Sequence, residues 1–160
     1  MTTIDLKAAQ QLLTQFGQQR VPMIGFCQAS LVDLSPSHCE ITLPLTDETK
    51  NHVDCMYFGA LSVGADIAGG FLAMAIIDQT KQPIELLFKD FSADFKQRAN
   101  GDTHFTCNDG QHIQTMIQQT LTTGERINHP IHVTATVPSV SLDPVATFTL
   151  TLSLKHKPSS

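Results

Sequence analysis

One carboxylate stands apart by its surroundings. From Tyr57 to Ile77 the chain reads YFGALSVGADIAGGFLAMAII, without proline, lysine or arginine, and Asp66 sits in the middle of that run. A carboxylate among apolar neighbours has to be paired, hydrogen-bonded or held neutral, because burying it bare is too costly. Groups placed in this way supply general acids, general bases and nucleophiles, since desolvation raises their proton affinity. Position alone leaves two readings open. Asp66 is either a structural carboxylate, bonded to an amide or a hydroxyl, or the centre of a reaction.

The element that must hold Asp66 is a helix. A helix apolar all the way round is a buried one, because a surface helix carries a polar face. Gly59, Gly64, Gly69 and Gly70 weaken it, each costing about 1 kcal/mol against alanine. Four glycines in one helix therefore imply a packing reason, close approach of another backbone. The run is also near the roughly 20 residues that cross a bilayer. Asp66 at its centre and the lack of flanking basic clusters argue against a membrane span.

The remaining composition narrows the function classes. The chain has 160 residues and a net charge of −5, with a pI near 5.7. One domain over residues 1–160 is expected, large enough for a sizeable core. The acidic balance gives no footing for nucleic acid or an anionic membrane. Four cysteines (Cys27, Cys39, Cys55, Cys107) show no CxxC spacing and lie in or beside apolar segments. They read as reduced core thiols in a cytoplasmic protein. Seven scattered histidines form no HExxH pattern, so no metal site is expected. The opening MTTIDLKAAQ has neither the basic start nor the apolar run of a secretory leader.

Taken in order, residues 3–19 put Leu6, Ala9, Leu12, Leu13 and Phe16 on one face of an amphipathic helix that covers an edge or end of a sheet. MIGFCQASLVDL reads as a strand with a bulge or bend, SPSH as a turn, and CEITLPL as a strand ended by Pro44 or lying at an edge. After the central helix, IELLFKDFSADFKQRA is a long strand. Its apolar face is Leu86 and Phe88 at first, then Phe91, Ala93 and Phe95. That switch of parity near Asp90 reads as a bulge. Asn100-Gly101 signals a hairpin into DTHFTC. Asp109 and Gly124 bracket a late helix with Ile113, Met116, Ile117 and Leu121 on one face. Two strands close the chain, IHVTATV and VATFTLTLSL, with Asp143-Pro144 as the turn between them. The architecture expected is α+β, a curved antiparallel sheet wrapped round one long apolar helix.

With these elements in place, the segments NHVDCMYFGALSVGAD, FKDFSADFKQRANGDTHFTC and TLTTGERI resemble the hotdog-fold thioesterases of the phenylacetate-pathway type, and within them the DUF4442 family. The likeness covers nearly the whole chain. Hotdog thioesterases often carry an Asn, then His-Gly-Gly at the helix start, then an acid on the helix. Asn51, Gly59 and Asp66 match the Asn, the second glycine and the acid, whereas Tyr57 and Phe58 stand where the His and the first glycine would be. The resemblance implies hydrolysis of an acyl-CoA thioester at a dimer interface. No cofactor is implied beyond the coenzyme A of the substrate itself.

These positions suit that chemistry. Unpaired amides at the helix start, of Phe58 or Gly59, would hold an oxyanion at the positive end of the helix dipole. Asn51 would orient the water or the carbonyl, and Asp66 would act as general base or nucleophile. Tyr57 would line the pocket, and the acyl chain would pass Gly70. Seven helical residues from Gly59 to Asp66 span about 10 Å, too far for one carbonyl to touch both. Asp66 is therefore expected to work with the helix start of a second copy, in a homodimer or a dimer of dimers. Two other readings stay open on the same fold. One is a non-catalytic binder of acyl or lipid-like ligands, favoured by the bulky Tyr57-Phe58 pair. The other is a dehydratase or hydratase using His52 with Asp66.

Overall fold

The computed structural model describes residues 4–158. Helix α3, Phe58–Thr80, is the axis of the molecule and ends where Lys81 turns into the left-handed region (φ 55°). Its glycines are explained by what lies against them. A β-carbon on Gly64 would lie 2.3 Å from the Phe105 ring, and one on Gly69 would lie 2.6 Å from Cδ1 of Ile131. The helix thus beds directly onto the side chains of the sheet. Ala65, Ala68, Leu72 and Ala73 are fully enclosed. By length and composition α3 could cross a membrane, but 67% of its most apolar window is buried inside this fold.

Six strands form the sheet: β1 (Ser30–Ser35), β2 (His38–Leu43), β3 (Ile84–Phe95), β4 (Thr103–Cys107), β5 (Ile127–Val137) and β6 (Ser141–His156). Their order is β1-β2-β4-β5-β6-β3, and every neighbouring pair is antiparallel. The inward residues follow the period-two pattern of the sequence. Cys39, Ile41 and Leu43 on β2, Ile131, Val133 and Ala135 on β5, and Phe148, Leu150, Leu152 and Leu154 on β6 are all buried. Each fully buried Leu, Ile or Phe contributes about 1.5–3 kcal/mol. Helix α4, Gly110–Thr123, closes one end with Ile113, Met116 and Ile117 inward, and Gly124 (φ 70°) stops it. This is the hotdog arrangement expected from the resemblance.

The long strand β3 carries the bulge where the parity switch put it, between Phe88 and Asp90, with Lys89 the extra residue. Thr151 on β6 donates to the Asp90 carboxylate across it at 2.5 Å. Leu86 and Phe88 before the bulge, and Phe91, Ala93 and Phe95 after it, share the inner face, yet Phe91 and Phe95 remain 42% and 46% exposed. β3 lies at the sheet edge, where the first turn of α3 reaches Phe95 through Phe58 but leaves these rings only partly covered.

Several local expectations give way to longer-range pairing. The MIGFC segment is not strand: Pro22–Phe26 forms a short helix, α2, with Pro22 in its first turn. A helix lets Gly25 meet Gly17 backbone to backbone, where either β-carbon would come within 2.8 Å of the other residue's backbone. The expected bulge survives in β1, between Leu31 and Asp33. Asn100-Gly101 is not a hairpin, because β3 pairs with β6 while β4 lies between β2 and β5. The chain crosses instead past the start of α3, held by Met56 N–H to Ala99 O (2.9 Å) and Cys55 Sγ to Asn100 Oδ1 (2.8 Å). Pro138–Val140 makes the last turn, and Asp143-Pro144 falls at a register shift inside β6, with Pro144 opposite Thr136. Helix α1, Leu6–Gln19, buries Ala9, Leu13 and Gly17, whereas Leu6 and Leu12 of the expected face are exposed. Gln10 pins it to β1, bonding Leu31 N–H and Ala29 O. Thr3, where the sequence pattern starts that helix, lies outside the described residues.

Candidate active site

Asp66 faces a cavity of about 220 Å³. Leu13 and Phe16 of α1, Ile24 of α2 and Leu86 and Phe88 of β3 help to line it, and among the described residues Asp66 is the single polar side chain in its wall. Gly70, one turn further along α3, belongs to the same wall. A β-carbon there would lie 3.4 Å from the Phe88 ring and 3.7 Å from Asp66 Oδ1. Burial pushes the Asp66 carboxyl above its ordinary value, and among the described residues no hydrogen bond or nearby charge offsets that effect. A carboxylate without donors, in an apolar wall, is a stronger base than one in water. The structural role considered for Asp66, a bond to an amide or hydroxyl, is not present among the described residues.

The other sequence-derived positions gather at the start of α3. Asn51 organises the loop that leads into it: its Oδ1 accepts from the amides of Val53 (3.0 Å) and Cys55 (3.1 Å), while its own amide donates to Cys55 O. Its side-chain NH2 group is left for any other role. Tyr57 N–H donates to Thr49 O, and the first intrahelical bond is Leu61 N–H to Tyr57 O. The amides of Phe58, Gly59 and Ala60 precede that bond and meet no acceptor among the described residues, as expected at a helix start. The Tyr57 ring packs over Gly59, where a β-carbon would come 2.3 Å from Cε1. Phe58 is 59% exposed, with its ring against Tyr57 and Phe95 (centroids 4.8 and 6.1 Å).

The two groups thus lie at different places along the helix, and β3 runs beside both. Phe88 touches the Asp66–Gly70 end, and Phe95 touches Phe58. Twelve residues of helix and seven of strand each cover roughly 20 Å. His52 lies in the loop before α3 and is not among the residues around the cavity. Among the described residues no group of three His, Cys, Asp or Glu side chains is arranged to hold a metal ion. Lys89, Lys96 and Arg126 are engaged with Asp90, Asp94 and Glu85. The α1 and α2 side chains that roof the cavity escaped the sequence reading as site residues. The apolar face of α1 marked Leu13 and Phe16 as buried, but nothing local said against what.

Solved structures share this fold along almost their whole length. A protein of unknown function from Pseudomonas aeruginosa, a probable thioesterase, superposes with a TM-score of 0.79 at 18% identity, over 98% of this chain and 99% of that one. A protein of unknown function from Chlorobaculum tepidum TLS gives 0.80 at 12% identity, over 95% and 97%. A thioesterase family protein from Silicibacter pomeroyi gives 0.69 at 19% identity, over 93% and 98%. A comparison with curated protein sequences finds no match. The family model described as Domain of unknown function (DUF4442) matches residues 9–153. That span takes in the central helix, the residues around the cavity and all of the sheet but the last three residues of β6, and the chain belongs to the DUF4442 family.

Proposed function

We propose that the protein is a thioesterase acting on an acyl-CoA, with Asp66 as general base or nucleophile. The observation that carries this reading is the lone Asp66 carboxyl, without donors, in the wall of an otherwise apolar cavity. As general base, Asp66 takes a proton from water as the oxygen adds to the thioester carbonyl; the C–S bond then breaks, and the proton passes from Asp66 to the departing thiolate, releasing coenzyme A and the free acid. As nucleophile its oxygen adds to the carbonyl and the C–S bond breaks, expelling coenzyme A as thiolate and leaving an acyl anhydride, which water opens to the free acid and the Asp66 carboxylate. The oxyanion is held by the amide of Phe58 or Gly59, with Asn51 orienting the water or the carbonyl, Tyr57 at the pocket rim and the acyl chain running past Gly70.

That arrangement needs two copies, and the geometry of β3 supports it. Antiparallel pairing of two β3 edges about a point between Phe91 and Ser92 would set Phe95 of one copy opposite Phe88 of the other, and so Phe58 of one copy toward Asp66 of the other. The exposed rings of Phe58, Phe91 and Phe95 would be covered in the same step. A homodimer, or a dimer of such dimers, then carries two equivalent sites. The four free, buried thiols fit a cytoplasmic setting.

A second reading has an observation in its favour. The rings of Tyr57 and Phe58 crowd the helix start, which suits a non-catalytic acyl binder better than an open oxyanion site. The test is release of free thiol from short, medium, long and aryl acyl-CoA esters by wild type and Asp66→Asn. Hydrolysis that the folded variant loses supports the thioesterase. Absence of turnover on every ester, or equal turnover by the variant, rejects it. Acyl binding without turnover would favour the binder.

A further inference from the structure

Three side chains, Phe16 of α1 and Phe71 and Met74 of α3, line two cavities at once. On one side is the 220 Å³ cavity that Asp66 faces. On the other is a groove of about 890 Å³ between α1 and the C-terminal half of α3. The groove continues the apolar surface with Ala8, Leu12 and Ala75, and has Arg20, Asp78 and Lys81 among its lining. Phe71 is buried, while Phe16 and Met74 are half-buried. We propose that Phe16, Phe71 and Met74 form a partition that limits acyl length, making the substrate class unsubstituted medium-chain and aryl-acyl thioesters.

The proposal rests on the reading of the cavity as the acyl site. Its size sets the limit. An apolar cavity of about 150 Å³ is known to take benzene, six carbons, so on the same scale 220 Å³ takes about nine carbons. Asp66 lines the cavity, so the count begins near the carbonyl. An octanoyl or a phenylacetyl group fits that volume; the distal half of a palmitoyl chain exceeds it while the partition stands. Chemistry sets the class. Beyond Asp66 no side chain in the wall can bond a polar group, so a hydroxyl or a charge along the chain would be stripped of water without compensation. The partition is also thin: Met74 is unbranched and flexible, which makes it easy to displace or trim. Removing it joins the cavity to the groove and gives a long chain a continuous apolar path to the surface.

The experiment uses wild type, Met74→Ala and Phe16→Ala, each checked for native circular dichroism and unfolding midpoint. Two series are measured, hydrolysis of saturated acyl-CoA esters from butanoyl to stearoyl, and binding of the matching S-alkyl-CoA thioethers, which cannot be hydrolysed. Wild type is expected to favour octanoyl over palmitoyl by at least tenfold in both. Each variant is expected to raise the palmitoyl-to-octanoyl ratio at least tenfold. If esters are cleaved but the ratio does not move in either folded variant, or wild type shows no length limit, the partition is wrong and the thioesterase reading stands. If no ester is cleaved but thioether binding shows the limit and its shift, the partition stands and the hydrolase reading falls. Neither turnover nor binding at any length overturns both.

Discussion

Alanine in place of Gly64 and of Gly70 makes a paired test of how α3 meets the sheet. The two positions lie on the same buried helix and gain the same methyl group, yet their surroundings differ. At Gly64 the new β-carbon falls 2.3, 2.4 and 2.6 Å from three atoms of the Phe105 ring. That ring is wholly enclosed and packs at 6.4 Å from Phe148. Ordinary contact would require it to retreat by more than about 1 Å into a core packed as densely as an organic crystal. Overpacking of this kind costs about 1–3 kcal/mol, with the upper end expected for a ring that cannot leave its slot. Alanine returns up to about 1 kcal/mol of helix propensity, leaving a net loss of about 2 kcal/mol. At Gly70 the nearest atoms are 3.4 and 3.7 Å away, so the same substitution is expected to be neutral or to stabilise by up to about 1 kcal/mol. With a urea dependence of roughly 2 kcal/mol per molar, Gly64→Ala lowers the unfolding midpoint by about 1 M and Gly70→Ala leaves it or raises it. Protein concentration is held fixed, since association adds to apparent stability. A Gly64→Ala protein as stable as wild type, or a Gly70→Ala protein weakened as much as Gly64→Ala, would refute the account of helix packing.

Three further outcomes are expected. Because burial raises the folded-state pKa of Asp66, its contribution to stability is full below the ordinary carboxylate value and is lost as pH rises through the raised one. Asp66→Asn should therefore melt higher than wild type at about pH 8, with the advantage fading toward about pH 4; a gain independent of pH would count against a desolvated carboxylate. Cys39 and Cys107 face each other across β2 and β4, and burial pushes the Cys107 thiol up to about 11 and the Cys39 thiol higher still. A thiol-specific disulfide reagent should label these two only on unfolding, and rapid labelling of native protein would contradict their enclosure. Phe91→Asp should weaken self-association by at least about a hundredfold, or about 2.7 kcal/mol, in sedimentation at several concentrations while circular dichroism stays native; undiminished association would place the interface elsewhere.

What was legible in the sequence was whatever depends on neighbours along the chain. The uniform hydrophobicity of residues 57–77 gave the buried helix, the change of parity after Phe88 gave the bulge, and Asp109 and Gly124 bracketed α4. Strand pairing was less legible, because it is settled between distant segments. Asn100-Gly101 has the chemistry of a hairpin but lies in a crossover, since β4 pairs with β2 and β5 while β3 pairs with β6. Asp109 itself makes no cap hydrogen bond; its carboxylate bonds the amide of His132 instead (2.6 Å). Asp66 could be singled out from its apolar context alone. Its cavity could not, because α2 and the roof from Leu13 and Phe16 exist only once Gly17 and Gly25 have met.

The edge position of β3 carries a consequence for assembly as a whole. A twelve-residue strand with one free side is a template for adding further strands, the usual starting point of open-ended aggregates. The opposite edge, β1, is half as long and interrupted by a bulge, which makes it a poor second template. If two copies join through β3 about a two-fold axis, each spends its one strong template on the other, and the contact uses the same patch on both sides. Growth then stops at two along that direction. The same strand that would make an isolated copy adhesive makes the pair self-limiting, so solubility and assembly would rest on a single stretch of backbone.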